Sequence, residues 1–385
     1  MYKQKQWLAV IRENNCVVAK VAFHKLKLDI LELFEYHSEI ESGSSKEQNE
    51  GVVREVPGEE RSTVGKPLEE KFWQEERLQN RRTGLLKNWL DNNHVPISKL
   101  RLAVSCPGVI TRMVTLPLLS SHDMNRLLTE QVEQYFTLNI ADYVVDYRLL
   151  ERFSEEGELR QRVLLAAIPR YQWEKLWTEW EEIGLRPKVV DLAADGLARL
   201  YSKLTSKEVH KAKVEEETSL DLAIVDLNPE RAEFVLLEHG MFFLYSDIEV
   251  ASDNLKNLRT ALSRASEGLG TGESEATNFD LQTVKQHACT KGEIELTLGN
   301  VLQSLAEFFS FFAARHFGKS IDRIYITGEY SDIPFLEEIF QSNLEIPTQA
   351  GFPNGWQPRF SRKAKTFQKS SMKYGSLYGL AMREG

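Results

Sequence analysis

Apolar positions along the chain keep two rhythms, one of period two and one of period near 3.6. Trp7 to Ile11, Val17 to Phe23 and Leu28 to Tyr36 are short β-branched and aromatic runs, which predict three consecutive strands. Asn14-Asn15 suits a hairpin turn between the first two. Leu222 to Leu227, Glu233 to Glu238 and Phe242 to Ile248 repeat that arrangement far downstream. Between these blocks, Leu102-Ala103-Val104 runs into Ser105-Cys106-Pro107-Gly108, where Pro-Gly ends it. Val109 to Leu116 then alternates, with Ile110, Val114 and Leu116 on one face and Thr111 and Thr115 on the other. Pro117 stops that strand. Ser121 is expected to cap a helix whose stripe is Met124, Leu127, Leu128, Val132 and Tyr135.

The remaining elements follow in the same way. Strands are expected at Asp146 to Phe153 and Arg162 to Ile168, joined by Ser154-Glu155-Glu156-Gly157. Tyr171 to Ile183 reads as a helix whose Trp173, Trp177 and Trp180 pack into a core in preference to lining a ligand box. Lys188 to Leu192 is a strand, Ala193 to Leu204 a helix, and the charged Lys207 to Glu217 a linker. Ser252 to Ala265 is a helix, and the Gly-, Ser- and Thr-rich Gly268 to Ile294 a loop. Leu296 to Phe317 is the strongest helix, followed by a strand at Ile324 to Ile326, a helix at Ile333 to Phe340 and an edge strand at Leu344 to Pro347. Ser38 to Pro67 holds too little apolar mass for a core and reads as a mobile insertion, while Leu68 to Asn93 is rich in helix formers.

A length of 385 residues calls for more than one core. A net charge of −9 argues against nucleic acid as a partner, because phosphate binding needs a basic face. No apolar run approaches the roughly 20 residues that span a bilayer, and Met1 to Lys5 leads straight into a strand, so no secretory leader is expected. Cys16, Cys106 and Cys289 show no metal spacing and suit a reducing cytoplasm.

The run Pro107-Gly108-Val109-Ile110-Thr111-Arg112, then Leu116-Pro117, Glu130 to Phe136 and Asp146-Tyr147-Arg148-Leu149-Leu150 resembles the PilM family. Leu165-Ala166-Ala167, Gly184-Leu185, Val189-Val190-Asp191 and Gly379-Leu380-Ala381 continue the likeness in order. That family comprises cytoplasmic actin-like proteins of the type IV pilus inner-membrane platform, relatives of FtsA. The resemblance implies an α/β, actin-like fold: duplicated ribonuclease H-like βββαβα lobes with an inserted FtsA-type 1C subdomain. It divides the chain into subdomain 1A (1–117 and 186–206, with 38–67 as insertion), 1C (118–185), 2A (218–250 and 318–385) and 2B (251–317).

The resemblance also says where nucleotide should sit. The first phosphate loop falls at Ala9 to Asn14, which has no Asp and no Gly; Glu13 would repel phosphate, and Arg12, which could bind one, reads first as a solvated turn residue. The second begins at Asp226, but Pro229 removes a backbone N–H and Glu230 adds negative charge. The adenosine motif keeps Thr327-Gly328 and replaces the next Gly with Glu329. Asp226, Thr327 and Gly328 are thus the remnant of a degenerate nucleotide site, and the chain is expected to be a pseudo-ATPase, not an enzyme. No cofactor is expected; ATP and Mg enter by family resemblance alone. Gly268-Leu269-Gly270-Thr271-Gly272 lacks the Lys-Ser/Thr of a P-loop and reads as a connector, and the dispersed His residues hold no metal. Arg359, Arg362, Lys363, Lys365, Lys369 and Lys373 form a basic tract, read as solvated or as a contact for anionic lipid or an acidic partner.

By the same resemblance, the partner is the N-terminal tail of a PilN-like single-span membrane protein, held between 1A and 1C. Thr111, Arg112, Val114, Tyr135 and Tyr147 are the candidate groove residues, against core or surface roles for each. The expected function is a non-catalytic cytoplasmic adaptor, peripheral on the inner membrane, of a pilus or type II secretion-like platform. The alternatives are an active actin-fold ATPase or small-molecule kinase, and an FtsA-like filament former, for which Tyr374 to Arg383 makes a poor membrane helix.

Overall fold

The computed structural model describes residues 4–12, 15–24, 26–37, 83–137, 139–187, 189–211, 220–229, 231–250 and 291–383. β1 (Gln4–Arg12), β2 (Asn15–His24) and β3 (Lys27–His37) form the expected antiparallel meander. Each outruns its apolar core because polar end residues continue the ladder, with Gln4 opposite Phe23 and Arg12 opposite Asn15. β4 (Leu100–Ser105) runs parallel to β1, and β8 (Val190–Leu192) parallel to β4.

Strands β9 (Leu222–Leu227), β10 (Arg231–Glu238), β11 (Met241–Glu249), β12 (Arg323–Thr327) and β13 (Thr348–Ala350) build a second sheet. Its order β11-β10-β9-β12-β13 repeats β3-β2-β1-β4-β8 strand for strand. Every residue of β9 is buried, as expected of a central strand covered on both faces. This duplication is the actin-like architecture that the resemblance implies, and the two meanders predict its repeat.

The chain between β4 and β8 inserts a third sheet, β5 (Ile110–Pro117), β6 (Tyr143–Glu155) and β7 (Glu158–Pro169), in the order β5-β7-β6. The β6–β7 hairpin turns on Glu156 and Gly157, both at positive φ, which matches the twist of the flanking strands. Helix α2 (Ser121–Glu130) covers part of this sheet. Its cap is Ser120, not Ser121: the Ser120 hydroxyl accepts from the Asp123 N–H and donates to the Asp123 carboxylate.

The other helices are α1 (83–92), α3 (Arg170–Glu182), α4 (Ala193–Lys211), α5 (Lys291–Thr297), α6 (Gly299–Arg315), α7 (Leu336–Leu344) and α8 (Gly375–Ala381). Four departures from the sequence reading have local causes. Lys207 to Lys211 extend α4 instead of linking, since Lys and Glu are good helix formers. The long helix breaks at Leu298 into α5 and α6. Leu344 ends α7, Glu345 turns at φ 56°, and the edge strand waits until Thr348; Pro347, lacking an N–H, only accepts from Ile324. Finally, β14 (Arg359–Phe360) pairs with β3, returning a segment grouped by sequence with the second lobe to the first sheet. The predicted insertion at 38–67, the helix at 252–265 and most of the connector after 268 lie outside the described residues.

Alternation sorts each strand between two cores. Leu8 and Val10 point inward, with Leu222 and Ile224 of the other lobe, onto Leu197, Tyr201, Leu377 and Tyr378 of α4 and α8. Ala9 and Ile11 point outward onto Trp180 and Ile183, with Trp173 and Trp177 half-buried at the margin. Val225, Phe234 and Ile326 meet Val301, Leu305 and Phe312 on the far side of the second lobe. Helices α4 and α8 follow the last strands of their lobes and cross at Gly196 and Gly379. A Cβ on Gly379 would stand 2.8 Å from the Gly196 Cα and closer still to its carbonyl, so only glycine permits this crossing.

Candidate functional site

Two places gather the residues singled out in the sequence. The first is the cleft between the lobes, where the ends of β1 and β9 face each other. Asp226, the last residue but one of β9, lies directly opposite Glu233 of β10; both are buried. Neighbouring carboxylates at such a position repel each other, and burial penalises their charge. Arg12, expected to be solvated, instead reaches in from the first lobe. Its Nη2 donates to the Asp226 carboxylate at 2.6 Å and to Ser376 Oγ at 2.7 Å, and stands 3.6 Å from Glu233. Only 19% of the Arg12 side chain is exposed.

Glu233 Oε1 accepts from two hydroxyl donors, Ser105 at 2.7 Å and Tyr245 at 3.1 Å, while Oε2, on the Arg12 side, makes no hydrogen bond among the described residues. Burial pushes the Glu233 carboxyl above the usual carboxylate range even with Arg12 beside it. For Arg12, burial pulls its pKa down, but Asp226 and Glu233 outweigh it and the guanidinium is held more firmly charged than usual. At the rim, Lys373 pairs with Glu35 at 2.5 Å and Tyr374 donates to the same carboxylate at 2.8 Å. Apolar Val10, Val17, Pro229 and Leu377 line the rest together with polar Asn15, His37, Asn228, Arg231 and Glu329.

Thr327 and Gly328 do stand beside Asp226, since Thr327 pairs with it across β12 and β9. Both are engaged internally. The Thr327 hydroxyl donates to the Met372 carbonyl at 2.6 Å, and the Gly328 N–H donates to the same carbonyl at 3.3 Å. Gly328 sits at φ +98°, and a Cβ there would lie 2.5 Å from Asp226 Oδ1 and 2.6 Å from the Leu227 nitrogen. The glycine therefore serves a backbone-to-backbone approach. Glu13 and Glu230 lie outside the described residues. Among the described residues no cluster of His, Cys, Asp or Glu has the makings of a metal site.

The second place is the third sheet. Arg112 of β5, Leu165 of β7 and Tyr147 of β6 form one cross-strand row, and Val114, Val163 and Leu149 the next. Val114, Tyr135 and Tyr147 are half-buried against the α2 side of the sheet, and Arg112 is exposed. Thr111 points the opposite way, buried with an unpartnered hydroxyl. The sheet brings Arg112, Val114 and Tyr147 to one face, where Tyr135 joins them from the turn after α2, and leaves Thr111 on the other. Tyr143, Val145 and Leu149 share the first face and escaped the sequence reading, although the period of two from Tyr147 marks them. Met113, on the Thr111 side, packs into the second lobe's core. Arg148 on β6 meets Asp195 of α4 at 2.6 Å, and Arg199 binds Asp195, Asp191 and the Gly379 carbonyl, fastening sheet and helices together.

No family model matches the sequence. Among solved structures, a chain of a PilM-PilN type IV pilus biogenesis complex aligns over 99% of both chains, with a TM-score of 0.64 and 17% identity. The two share one fold from end to end. Weaker likenesses are to a Bacteroides thetaiotaomicron protein with an actin-like ATPase fold and unknown function (99% and 97% covered, 10% identity, TM-score 0.43) and to the cytoplasmic domain of EpsL, an inner-membrane component of the Vibrio cholerae type II secretion system (99% and 96% covered, 8% identity, TM-score 0.38). The actin-like fold implied by the residues around Pro107 and Asp146 is the fold observed. No helix among the described residues is long and apolar enough to cross a membrane.

Proposed function

We propose that this protein is a non-catalytic cytoplasmic adaptor of a type IV pilus or secretion-like assembly platform, docking the tail of a PilN-like single-span membrane protein at the inner membrane. The assembly role is supported by the end-to-end likeness to a chain of the PilM-PilN complex. The absence of catalysis rests on one observation: Asp226, the carboxylate left from a nucleotide site, is already neutralised by Arg12. A phosphate entering there would meet two buried carboxylates, Asp226 and Glu233, whose nearest cation, Arg12, is already paired with them.

Docking suits the α2 side of the third sheet. Tyr143, Tyr147 and Leu149 offer apolar contact area beside the exposed Arg112, and β6 is an edge strand with no second strand beside it among the described residues. An extended tail can use both. The test is fluorescence anisotropy with a labelled peptide copying the cytoplasmic segment of the PilN-like protein of the same genome. Tyr147→Ala and Arg112→Glu should each weaken binding at least about tenfold, whereas Thr111→Val, on the opposite face, should leave it unchanged. Wild-type binding by both face variants, or no binding by the parent, contradicts the reading.

A further inference from the structure

We infer that Arg12 is a resident counterion that clasps the two lobes, so that closure of the cleft needs no bound ligand. The observation is the arrangement of charge across the gap. Asp226 and Glu233 sit on adjacent strands of the second lobe as a cross-strand pair, 1% and 2% exposed. Two carboxylates so placed need a cation. Among the described residues, the cation within ion-pair distance of either is Arg12, which belongs to the first lobe.

The same guanidinium nitrogen is anchored by Ser376, at the start of α8 on the axis between the lobes. A second bond crosses in parallel, from Ser105 at the end of β4 to Glu233. Ser105 is also the residue paired with Arg12 across β1 and β4, so both crossing contacts leave the first lobe from one point. Opening the cleft would part Asp226 and Glu233 from the guanidinium that neutralises them and break the Ser105 contact with Glu233 and the Ser376 contact with Arg12. The closed arrangement is favoured by electrostatics that the chain itself supplies. In a ligand-gated cleft that cation would arrive with the ligand; here it is built into the end of β1.

Amide hydrogen exchange on the full chain tests this. Arg12→Met, Asp226→Asn and the double variant are compared with wild type, reading peptides from 222–238 and 371–381 against peptides from the third sheet at 143–169. Arg12→Met should speed exchange in the two cleft regions at least tenfold while 143–169 keeps its protection. The double variant should be less exposed than Arg12→Met alone, because removing one orphaned charge relieves the other loss. Where Arg12→Met alone cannot be purified, the double variant and Asp226→Asn carry the test: both should fold and both should exchange faster in the cleft than wild type. Wild-type protection of 222–238 in these variants, or effects of the two substitutions that add without coupling, overturns the clasp.

Discussion

Replacing Gly379 by alanine adds one methyl group at the place where the lobes meet. The new Cβ would lie 2.8 Å from the Gly196 Cα and closer to its carbonyl, against the roughly 3.4–4 Å of ordinary contact, so α4 and α8 must part by on the order of 1 Å. Overpacking of this kind costs about 1–3 kcal/mol. The Gly379 carbonyl also accepts from Arg199 at 3.0 Å, and losing a charged hydrogen bond costs about 1.5–3 kcal/mol more. A loss of about 3–6 kcal/mol is a large part of a typical stability of about 5–15 kcal/mol. With a urea slope of about 3 kcal/mol per molar, the midpoint followed by tryptophan fluorescence should fall by about 1–2 M. Gly292→Ala provides the contrast, because nothing lies within 4 Å of a Cβ there and the residue is helical. That change should stabilise by about 0.5–1 kcal/mol. If Gly379→Ala unfolds within about 0.3 M of wild type, the backbone contact between α4 and α8 is wrong.

Other perturbations bear on separate parts of the molecule. Arg199→Met leaves Asp191 and Asp195 short of their shared buried cation and should destabilise by about 3–5 kcal/mol, read as a drop in urea midpoint. Ser120→Ala removes the cap of α2 and should cost about 1 kcal/mol, with lost exchange protection confined to 121–130. Because burial raises the folded pKa of Glu233, the folded chain holds that proton to higher pH than the unfolded one. Its contribution is complete below about pH 4.3 and is lost as pH rises through the raised value, so Glu233→Gln should flatten this part of the midpoint-against-pH curve. Burial pushes the Cys16 thiol up to about 12, so Cys16 should resist a thiol reagent at pH near 8 until the protein is unfolded, as followed by peptide mass mapping.

The two meanders, the β5 alternation and the tryptophan helix were legible because period-two and period-3.6 burial is written locally. The duplication of the sheets followed from those same runs. Arg12 was not legible: in sequence it is a charge beside a turn, and its partner Asp226 lies 214 residues away. Pro229 and Glu329 mark in sequence the departures from the nucleotide motifs that the resemblance implies, but they do not reveal that Asp226 is paired with Arg12. Alternation along β5 already separated Thr111 from Val114, yet the shared face with Tyr147 emerges only through the β5-β7-β6 order, a non-sequential pairing. Likewise Gly379 could be read as a small residue but not as the partner of Gly196.

Calorimetric titration with magnesium-ATP, paired with a melting curve at the same concentrations, decides whether the cleft is filled from within. No saturable heat, an unmoved melting point and no phosphate release are expected up to millimolar nucleotide. A micromolar dissociation constant with a melting point raised in step, as about 2.7 kcal/mol of linkage at a hundredfold excess over that constant would demand, would contradict it.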